Sequence, residues 1–322
     1  MIRPALSKLA EGTKLTVDLI NDIINRTEYA ADLLRQYKLI AGSGMYVEPH
    51  YDGTRVSYLQ PVGGGATRPQ PISPAYRIVG YATVGGIARG FLYDGSIFTD
   101  IIYPGASQTY AYGIDGSNIV GYIDIGGITK GFLYDGSTFT DIIYPSSSST
   151  QAYGIDGSNI VGYIDIGGIT KGFLYDGSNF IDIIYPSSSS TQVFGIDGFN
   201  IVGYTLVGFT EKGFLYNGST FTEIIYPGAS ATYAFGIDGS NIVGTAVISG
   251  LQRAFVYNGS TFTDIVYPGA APGGTVAFGI DGSNIVGYAV VGGLNRGFIY
   301  NGSTFTDIIY PGATSTIAFG IG

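Results

Sequence analysis

A segment of about forty residues recurs along most of the chain, and this repeat limits the possible folds more than any other feature. Its spacing is 41 residues, except for one interval of 43. A fixed period in this range indicates a solenoid, a propeller or an array. An opening Gly-Ile pair recurs at Gly113, Gly154, Gly195, Gly236, Gly279 and Gly320, and an Ile-Val-Gly core ends at Gly80, Gly121, Gly162, Gly203, Gly244 and Gly287.

Each repeat predicts four short β-strands, which in the second copy span residues 108–114, 118–125, 130–134 and 139–144. All four are rich in Ile, Val, Tyr, Phe and Thr, which suit a packed, pleated surface. The Asp-Gly pairs at Asp115 and Asp135 favour tight turns between the first and second strands and between the third and fourth. Gly126-Gly127 joins the middle strands. Each repeat is therefore predicted to be a four-stranded antiparallel meander.

These strands are apolar on both faces, since Ile119 and Ile123 point one way while Val120 and Tyr122 point the other. A strand buried on both faces lies between two other sheets, and radial stacking of the repeats provides that. Four strands in about 40–45 residues are typical of a propeller blade. The chain has no Trp, which disfavours WD-type blades, and kelch blades run longer, near about 50 residues.

The two ends of the repeat array complement each other. The first Ile-Val-Gly, at 78–80, has no Gly-Ile-Asp-Gly before it, and the chain finishes with an opening strand at 316–321 that has no copy after it. We therefore expect residues 75–322 to form an all-β, six-bladed β-propeller. The C-terminal strand would complete the first blade and remove the exposed sheet edges.

Alternating strand directions predict a charge on each face of this propeller. One cation begins the third strand of every repeat, on the face of the Ser/Thr/Pro loops: Arg89, Lys130, Lys171, Lys212, Arg253 and Arg296. One carboxylate follows each Asp-Gly or Asn-Gly turn and is assigned to the opposite face: Asp100, Asp141, Asp182, Glu223, Asp264 and Asp307. Residues 78–322 carry six Lys/Arg against seventeen Asp/Glu. A propeller with this excess of carboxylates, which we call the head, is a poor binder of nucleic acid, because phosphate contacts need clustered cations.

Several repeat segments resemble the bacterial HAF-type repeats, which carry a His-Ala-Phe-Leu core and a Gly-Ile-Asn…Val-Val-Gly segment. The matching stretches are Gly131-Phe-Leu-Tyr-Asp-Gly136, Ala152-Tyr-Gly-Ile-Asp156 and Ile160-Val-Gly-Tyr163. This chain has Gly or Ala where the family's His-Ala stands. The resemblance implies a propeller and no particular activity.

The N-terminal region predicts a helix over 16–38, with Thr16 as a plausible N-cap and a length of about 35 Å. It could fold back on its own domain, or it could serve self-association or docking into a larger assembly, which we favour. A β-hairpin at 41–61 and a Gly/Pro-rich linker at 62–74 follow the helical segment at 1–40. The apolar stripe of the helix consists of Leu19, Ile20, Ile23, Ile24, Ala30, Leu33, Leu34 and Tyr37.

This N-terminal module is similar to the starts of phage virion appendage proteins, which are often trimeric. The matching motifs are Leu15-Thr-Val-Asp-Leu-Ile-Asn21, Gly42-Ser-Gly44 and the pair Asp52-Gly53. The resemblance covers roughly the first sixty residues. It implies a homotrimer formed through the helix, contacts with other virion proteins and localisation to the virion.

Catalytic chemistry finds few candidates in the sequence. His50 is the single His and there is no Cys, so metal sites built on these residues and a Ser-His-Asp set in the head are excluded. Asp135 and Asp141 could form an acid/base pair, but equivalents recur in each repeat, whereas a catalytic site needs an asymmetric set. We predict no enzymatic activity, cofactor or metal, and the sequence lacks a recognisable signal peptide or an apolar run long enough to insert in a membrane.

Sugar binding is the remaining chemical prediction. A tyrosine next to proline closes each repeat, and tyrosine offers an apolar face and a hydroxyl to a sugar. The alternative is that these side chains pack between blades. If a unique site exists, we expect it where the repeats differ, at Phe199, Phe209–Glu211, Thr245 and the loop 269–275. The tyrosines are Tyr103, Tyr144, Tyr185, Tyr226, Tyr267 and Tyr310.

The sequence thus predicts a structural virion appendage of a phage, similar to a tail or head fibre. The N-terminus would anchor the chain to the particle, and the propeller would be displayed for host-surface attachment, with host glycans as candidate ligands. A free multivalent carbohydrate-binding lectin is the alternative, and a propeller glycosidase or lyase is the weakest of the three.

Overall fold

The computed structural model describes the backbone of two strands in residues 45–49 and 56–61, and residues 76–322 with their side chains. The chain divides into two compact parts, Met1–Ser73 and Pro74–Gly322. In the N-terminal part, β1 (Met45–Pro49) pairs antiparallel with β2 (Val56–Pro61), with Met45 opposite Pro61. These strands fall within the range 41–61 for which a hairpin is predicted. The predicted helix, with its apolar stripe from Leu19 to Tyr37, and the linker 62–74 lie outside the described residues.

Residues 76–322 form six units, each with four antiparallel strands. The first unit contains β3 (Ile78–Val84), β4 (Ile87–Tyr93), β5 (Phe98–Ile101) and the C-terminal strand β26 (Ser315–Ile321). The second contains β6 (Gln108–Asp115), β7 (Asn118–Ile125), β8 (Ile128–Tyr134) and β9 (Phe139–Ile142). The third contains β10 (Ser149–Asp156), β11 (Asn159–Ile166), β12 (Ile169–Tyr175) and β13 (Phe180–Ile183).

The remaining three units repeat this pattern. The fourth contains β14 (Ser190–Asp197), β15 (Asn200–Val207), β16 (Thr210–Tyr216) and β17 (Phe221–Ile224). The fifth contains β18 (Ala231–Asp238), β19 (Asn241–Ile248), β20 (Leu251–Tyr257) and β21 (Phe262–Ile265). The sixth contains β22 (Thr275–Asp281), β23 (Asn284–Val291), β24 (Leu294–Tyr300) and β25 (Phe305–Ile308).

The last strand of the chain completes the first unit. β26 pairs antiparallel with β3, from Ser315 opposite Thr83 to Ile321 opposite Ile78. Beyond the strands, the backbones of Arg77 and Gly322 exchange two hydrogen bonds, with N–O distances of 2.7 and 3.0 Å. The predicted pairing of the C-terminal strand with the first repeat is confirmed. Residues 76–322 are thus all-β, with the arrangement of a β-propeller of about six blades.

The hydrophobic core lies between neighbouring units. Val79 of the first unit packs in one cluster with Ala111, Ile119 and Phe132 of the second. A further cluster joins Val286 and Ile308 of the sixth unit to residues of the first. One phenylalanine on the third strand of every unit is completely buried, which is expected of strands that are apolar on both faces: Phe91, Phe132, Phe173, Phe214, Phe255 and Phe298.

Steric crowding explains why the Ile-Val-Gly core ends in glycine. A Cβ atom added to Gly121 would lie 1.9 Å from the carbonyl oxygen of Tyr110 on the neighbouring strand. No side chain fits at that distance, so the first and second strands of a unit can approach this closely only at glycine.

Candidate functional site

The predicted cations do not form a separate basic ring. Lys130 Nζ lies 3.4 Å from Asp141 Oδ2, on the adjacent strands β8 and β9. The prediction of oppositely charged faces is wrong for these residues. The fourth strand runs back antiparallel to the third, so the carboxylate near its end reaches the edge where the third strand begins. The equivalent pairs are Arg89–Asp100 (3.8 Å), Lys171–Asp182 (3.5 Å), Lys212–Glu223 (2.7 Å), Arg253–Asp264 (2.9 Å) and Arg296–Asp307 (3.4 Å).

The predicted tyrosines meet the same carboxylates from the neighbouring unit. Tyr144 Oη donates a hydrogen bond to Asp182 Oδ1 at 2.7 Å, and its ring packs edge-on against Phe180 with a centroid separation of 5.0 Å. The other contacts are Tyr103–Asp141, Tyr185–Glu223, Tyr226–Asp264, Tyr267–Asp307 and Tyr310–Asp100. We call each tyrosine with the carboxylate and cation of the next unit an inter-unit cluster. The last cluster links the sixth unit to the first.

The ionisation of these clusters follows from their contacts. The hydrogen bond from Lys212 lowers the pKa of Glu223 below its usual range, assisted by the hydroxyl of Tyr185 and opposed by burial. The hydrogen bond to Asp182 raises the pKa of Tyr144. At neutral pH the cluster of Tyr185, Glu223 and Lys212 therefore combines a neutral phenol, a carboxylate and a cation. The six clusters use all six Lys/Arg of residues 78–322 and leave eleven of its seventeen carboxylates outside them.

Eight of these remaining carboxylates lie in the turns at the opposite edge of the units, which we call the acidic turns. Asp115 Oδ2 accepts a hydrogen bond from the backbone N–H of Gly157, in the equivalent turn of the next unit, at 2.7 Å. Three further units repeat this contact. The prediction of an acidic face is thus correct for the turns themselves: Asp94, Asp115, Asp135, Asp156, Asp176, Asp197, Asp238 and Asp281.

Exposed apolar side chains accompany the inter-unit clusters. Ile128 begins the third strand, Ile143 follows the fourth, and both are about half exposed. Between them and the next unit runs the Ser/Thr loop at 145–148, and the buried Thr150 in β10 accepts a hydrogen bond on Oγ1 from Tyr144 N at 3.0 Å. In the sixth unit the same positions border a depression of about 120 Å³. We call it the repeated depression because equivalent residues recur in the other units. It is lined by Leu294, Asn295, Arg296, Ile309 and residues 313–316.

The residues at which the repeats differ do not lie together. Phe199 and Phe209 are 83% and 104% exposed, but they lie in turns at opposite edges of the fourth unit. Glu211 accepts a hydrogen bond from the hydroxyl of Tyr233 in the next unit. Thr245, in place of a tyrosine, is 1% exposed, and its hydroxyl has no protein partner. The longer loop closes on itself through Gly274 N and the carbonyl of Ala271, 2.7 Å apart.

An aromatic lining along the axis was not predicted. The first strand of each unit contains a β-bulge, which in β6 falls between Ala111 and Gly113, so that Tyr112 is the extra residue. A bulge redirects a side chain, here towards the centre. Neighbouring rings have centroid separations between 4.2 and 5.2 Å, and the last ring lies 4.4 Å from the first. The rings belong to Tyr112, Tyr153, Phe194, Phe235, Phe278 and Phe319. The sequence signal was the aromatic residue before every Gly-Ile pair.

These aromatic residues border a cavity of about 80 Å³, which we call the axial cavity. Its wall also contains the Gly and Ile that follow each ring in sequence, such as Gly113 and Ile114. Burial raises the pKa of Tyr112 and Tyr153 well above the ordinary range, so both remain neutral phenols. Within residues 76–322, no three His, Cys, Asp or Glu side chains lie close enough to hold a metal ion. No helix in the described part of the chain is long and apolar enough to cross a bilayer.

Comparison with known proteins identifies the fold alone. No protein-family model and no curated protein matches the chain, so neither predicted resemblance gains support. The structure is similar to that of TolB from Acinetobacter baumannii, with a TM-score of 0.60 and 13% identity over 77% of this chain and 67% of that chain. A further match is the β-propeller domain of the Trilobed protease from Pyrococcus furiosus, with a TM-score of 0.48 and 12% identity over 73% and 80% of the two chains. The similarity to TolB supports a β-propeller fold.

Proposed function

We propose that this protein is a non-enzymatic attachment protein, namely a structural virion appendage of a phage. In this proposal residues 1–60 anchor the chain to the particle and assemble it, and the propeller is the head that binds a host surface. The observation that carries the proposal is repetition. The same combination of exposed apolar residues, loop hydroxyls and inter-unit cluster recurs around the head, as in Ile128, Ile143 and Ser148.

The proposed head is a ring of six blades closed by the C-terminal strand. Three kinds of contact that involve the first unit support closure. β26 pairs with β3. Tyr310 of the sixth unit donates a hydrogen bond to Asp100 of the first. The ring of Phe319, in β26, lies 4.2 Å from that of Phe278 in the sixth unit and 4.4 Å from that of Tyr112 in the second. Such a ring leaves no unpaired innermost strand and presents its surface rigidly.

The repeated depression is the proposed contact surface for host glycans. Its apolar side chains can cover a sugar ring, and its Ser and Thr hydroxyls can bond to the sugar edge. The predicted binding residues Tyr144 and Lys130 are bonded to carboxylates, so they hold the surface in shape. Direct contact then falls to neighbours such as Ile128 and Ile143.

Multivalency accounts for attachment through shallow sites. Each depression offers few contacts, and the one in the sixth unit has a volume of about 120 Å³. Linked sites on one rigid head convert later binding events into intramolecular ones, which can raise overall affinity by about 10²–10⁴. A homotrimer formed through residues 1–60 would multiply the sites further.

Fractionation of a phage lysate tests the virion role. An antibody against the head should detect the chain in purified, assembled particles, and labelled full-length chain should bind host cells. Replacing Ile128, Ile143, Ile169 and Ile184 together with serine should reduce cell binding at least about threefold through lost avidity. Asp135→Asn in an acidic turn is the matched control and should bind normally. A chain absent from particles would contradict the proposal.

A free multivalent lectin remains the alternative, because the repeated depression would serve it equally. A glycan array with the full chain separates the two proposals when it is combined with the lysate fractionation. A chain that binds glycans and is found only in the soluble fraction supports the lectin. Hydrolysis of a surface polysaccharide would instead support an enzyme.

A further inference from the structure

The axial cavity supports an inference that does not depend on the proposed function: we propose that it binds a compact organic cation, of the trimethylammonium type. The cavity lies where the first strands of all six units meet, and each unit contributes one aromatic residue, one glycine and one isoleucine. It is separate from the repeated depression, which is lined by the third strand and the Ser/Thr loop.

The aromatic lining supplies the first part of the argument. Rings such as those of Phe235 and Phe278 are 5.2 Å apart, and every ring has a neighbour on both sides. The bulged position in each first strand holds these rings at the cavity. A cation over aromatic faces is attracted by their quadrupoles, and cages of several rings are a recognised way to bind quaternary ammonium groups.

The mouth of the cavity supplies the second part. Along the first strand the lining runs from Tyr112 through Gly113 and Ile114, and the next residue is Asp115 of the acidic turns. The carboxylate of Asp115 bridges to the turn of the next unit, and three further aspartates do the same. These four carboxylates, together with Asp281 at the same position of the sixth unit, place negative charge next to the lining: Asp115, Asp156, Asp197, Asp238 and Asp281.

The first unit differs at this mouth. It has no aspartate at the equivalent position, and there Arg77 donates a hydrogen bond to the carbonyl oxygen of Gly116. Among the described residues, the turns near the cavity therefore contain five carboxylates, and one cation, Arg77, lies beside them. The local charge disfavours anions and favours a cationic ligand, because like charges repel and opposite charges attract.

The volume of the cavity is compatible with such a group. A cavity needs a volume of about 10–15 Å³ to hold one water molecule. The axial cavity, at about 80 Å³, therefore holds several waters or one methylated ammonium group. An extended lipid tail or a whole sugar chain does not fit, so the proposed ligand enters with its compact charged end first.

Titration of the full-length chain with choline, followed by calorimetry, tests the site. We expect saturable binding with a Kd below about 10 mM. The neutral analogue 3,3-dimethyl-1-butanol, which has the same shape without the charge, should bind at least about tenfold more weakly because it lacks the cation–π attraction. Equal binding of the two compounds, or no saturable binding of choline, would overturn the proposal.

Two variants locate the binding. The double substitution Asp156→Asn and Asp197→Asn keeps an oxygen that can accept the bonds from Gly198 and Gly239, so the fold should be retained. It should weaken choline binding about threefold to tenfold by removing charge. Asp135→Asn, in an outer turn, should leave binding unchanged. An unaltered affinity in the double variant would overturn the proposal. This test does not require a substitution in the aromatic lining, such as Phe235→Leu, which could prevent folding.

Discussion

The tyrosine that ends each unit acts on the next unit through both its ring and its hydroxyl. The ring of Tyr144 packs against Phe180, and its hydroxyl donates to Asp182, which also faces Lys171. Exposed ion pairs contribute little by themselves. In the cluster, however, the carboxylate also joins two units, so the hydroxyl and the ring decide how much the contact stabilises the head.

Removing one cluster hydroxyl should lower stability measurably. We expect Tyr144→Phe to reduce the free energy of unfolding by about 1 kcal/mol, because a hydrogen bond to a charged acceptor is lost while the ring packing is kept. Tyr134→Phe is the matched control, since that hydroxyl donates at 2.8 Å to Gly136 within its own turn. It should cost less than about 0.5 kcal/mol. Urea unfolding measures both, and an equal cost would contradict an inter-unit role.

Stability should fall in acid through Glu223. Its pKa in the folded protein is below the ordinary value of 4.5, chiefly because Lys212 donates to it. The carboxylate therefore contributes stability that is fully present above pH 4.5 and is lost as pH falls through the lowered pKa. Melting temperatures at a series of pH values should fall less steeply in Glu223→Gln than in the wild type. Identical slopes would refute this contribution.

At the scale of elements, the first strand of each unit makes two sets of contacts. It pairs with the second strand of its own unit, and it meets the first strands of the neighbouring units at the axis. Gly154 marks the axial contact, because a Cβ atom added there would lie 2.6 Å from the carbonyl oxygen of Phe194. The bulge beside it, between Ala152 and Gly154, turns Tyr153 towards the axis. Close approach and the aromatic lining thus arise in the same three residues.

Alanine at the axial glycine should be more destabilising than alanine in a turn. We expect Gly154→Ala to cost about 2–3 kcal/mol, because the backbones of adjacent units must separate. Gly168→Ala is the control: its added Cβ meets no atom within 4 Å, and its φ of +81° alone opposes the change. The cost there should be about 1 kcal/mol. Denaturant unfolding compares the two, and a larger effect at Gly168 would argue against tight axial packing.

Deleting the last strand should open the head. Removal of residues 314–322 takes away β26 and leaves the edge of β3 unpaired, which invites aggregation. We expect a melting temperature lower by at least about 10 °C and soluble aggregates in light scattering. A synthetic peptide of residues 314–322 should partly restore the melting temperature, whereas a scrambled peptide should not. Unchanged melting and solubility in the truncated chain would refute closure by this strand.

For the whole molecule, charge is distributed by edge and by unit. The six inter-unit clusters are neutral overall, whereas eight aspartates remain in the acidic turns. The acidic excess of residues 78–322 is therefore concentrated at one edge of the units. The other edge presents apolar side chains and hydroxyls. The two edges thus differ in chemistry, and the two proposals for glycan and cation binding concern different edges.

Oligomeric state belongs to this scale as well. We expect the full chain to sediment as a trimer and Ile23→Asp with Leu33→Asp to sediment as a monomer, because the charges interrupt the apolar stripe of the predicted helix. Sedimentation equilibrium of both chains measures this. A pair of charges at Asn301→Asp and Asn258→Asp, in turns of the head, is the control and should leave the trimer intact. A wild-type monomer would refute assembly through residues 1–60.

Most of the repeat could be predicted because its signals are local. The predicted strand at 118–125 coincides with β7, and Asp135-Gly136 forms the predicted turn, in which Asp135 accepts hydrogen bonds from the N–H groups of Ser137 and Thr138. Period, β-propensity and turn chemistry act over a few residues, so they can be read without a structure. The pairing of β26 with β3 could also be predicted, because the first repeat lacks the opening strand that the chain's end supplies.

The partners of side chains were decided only by the tertiary structure. Lys130 was assigned to one face and Asp141 to the other, yet the short fourth strand brings them together, and Asp141 receives the hydroxyl of Tyr103 from the preceding unit. Tyr112 is an ordinary strand residue in the sequence, and a bulge directs it to the axis. These contacts depend on strand length, register and the packing of units far apart in sequence, which a repeated pattern does not encode locally.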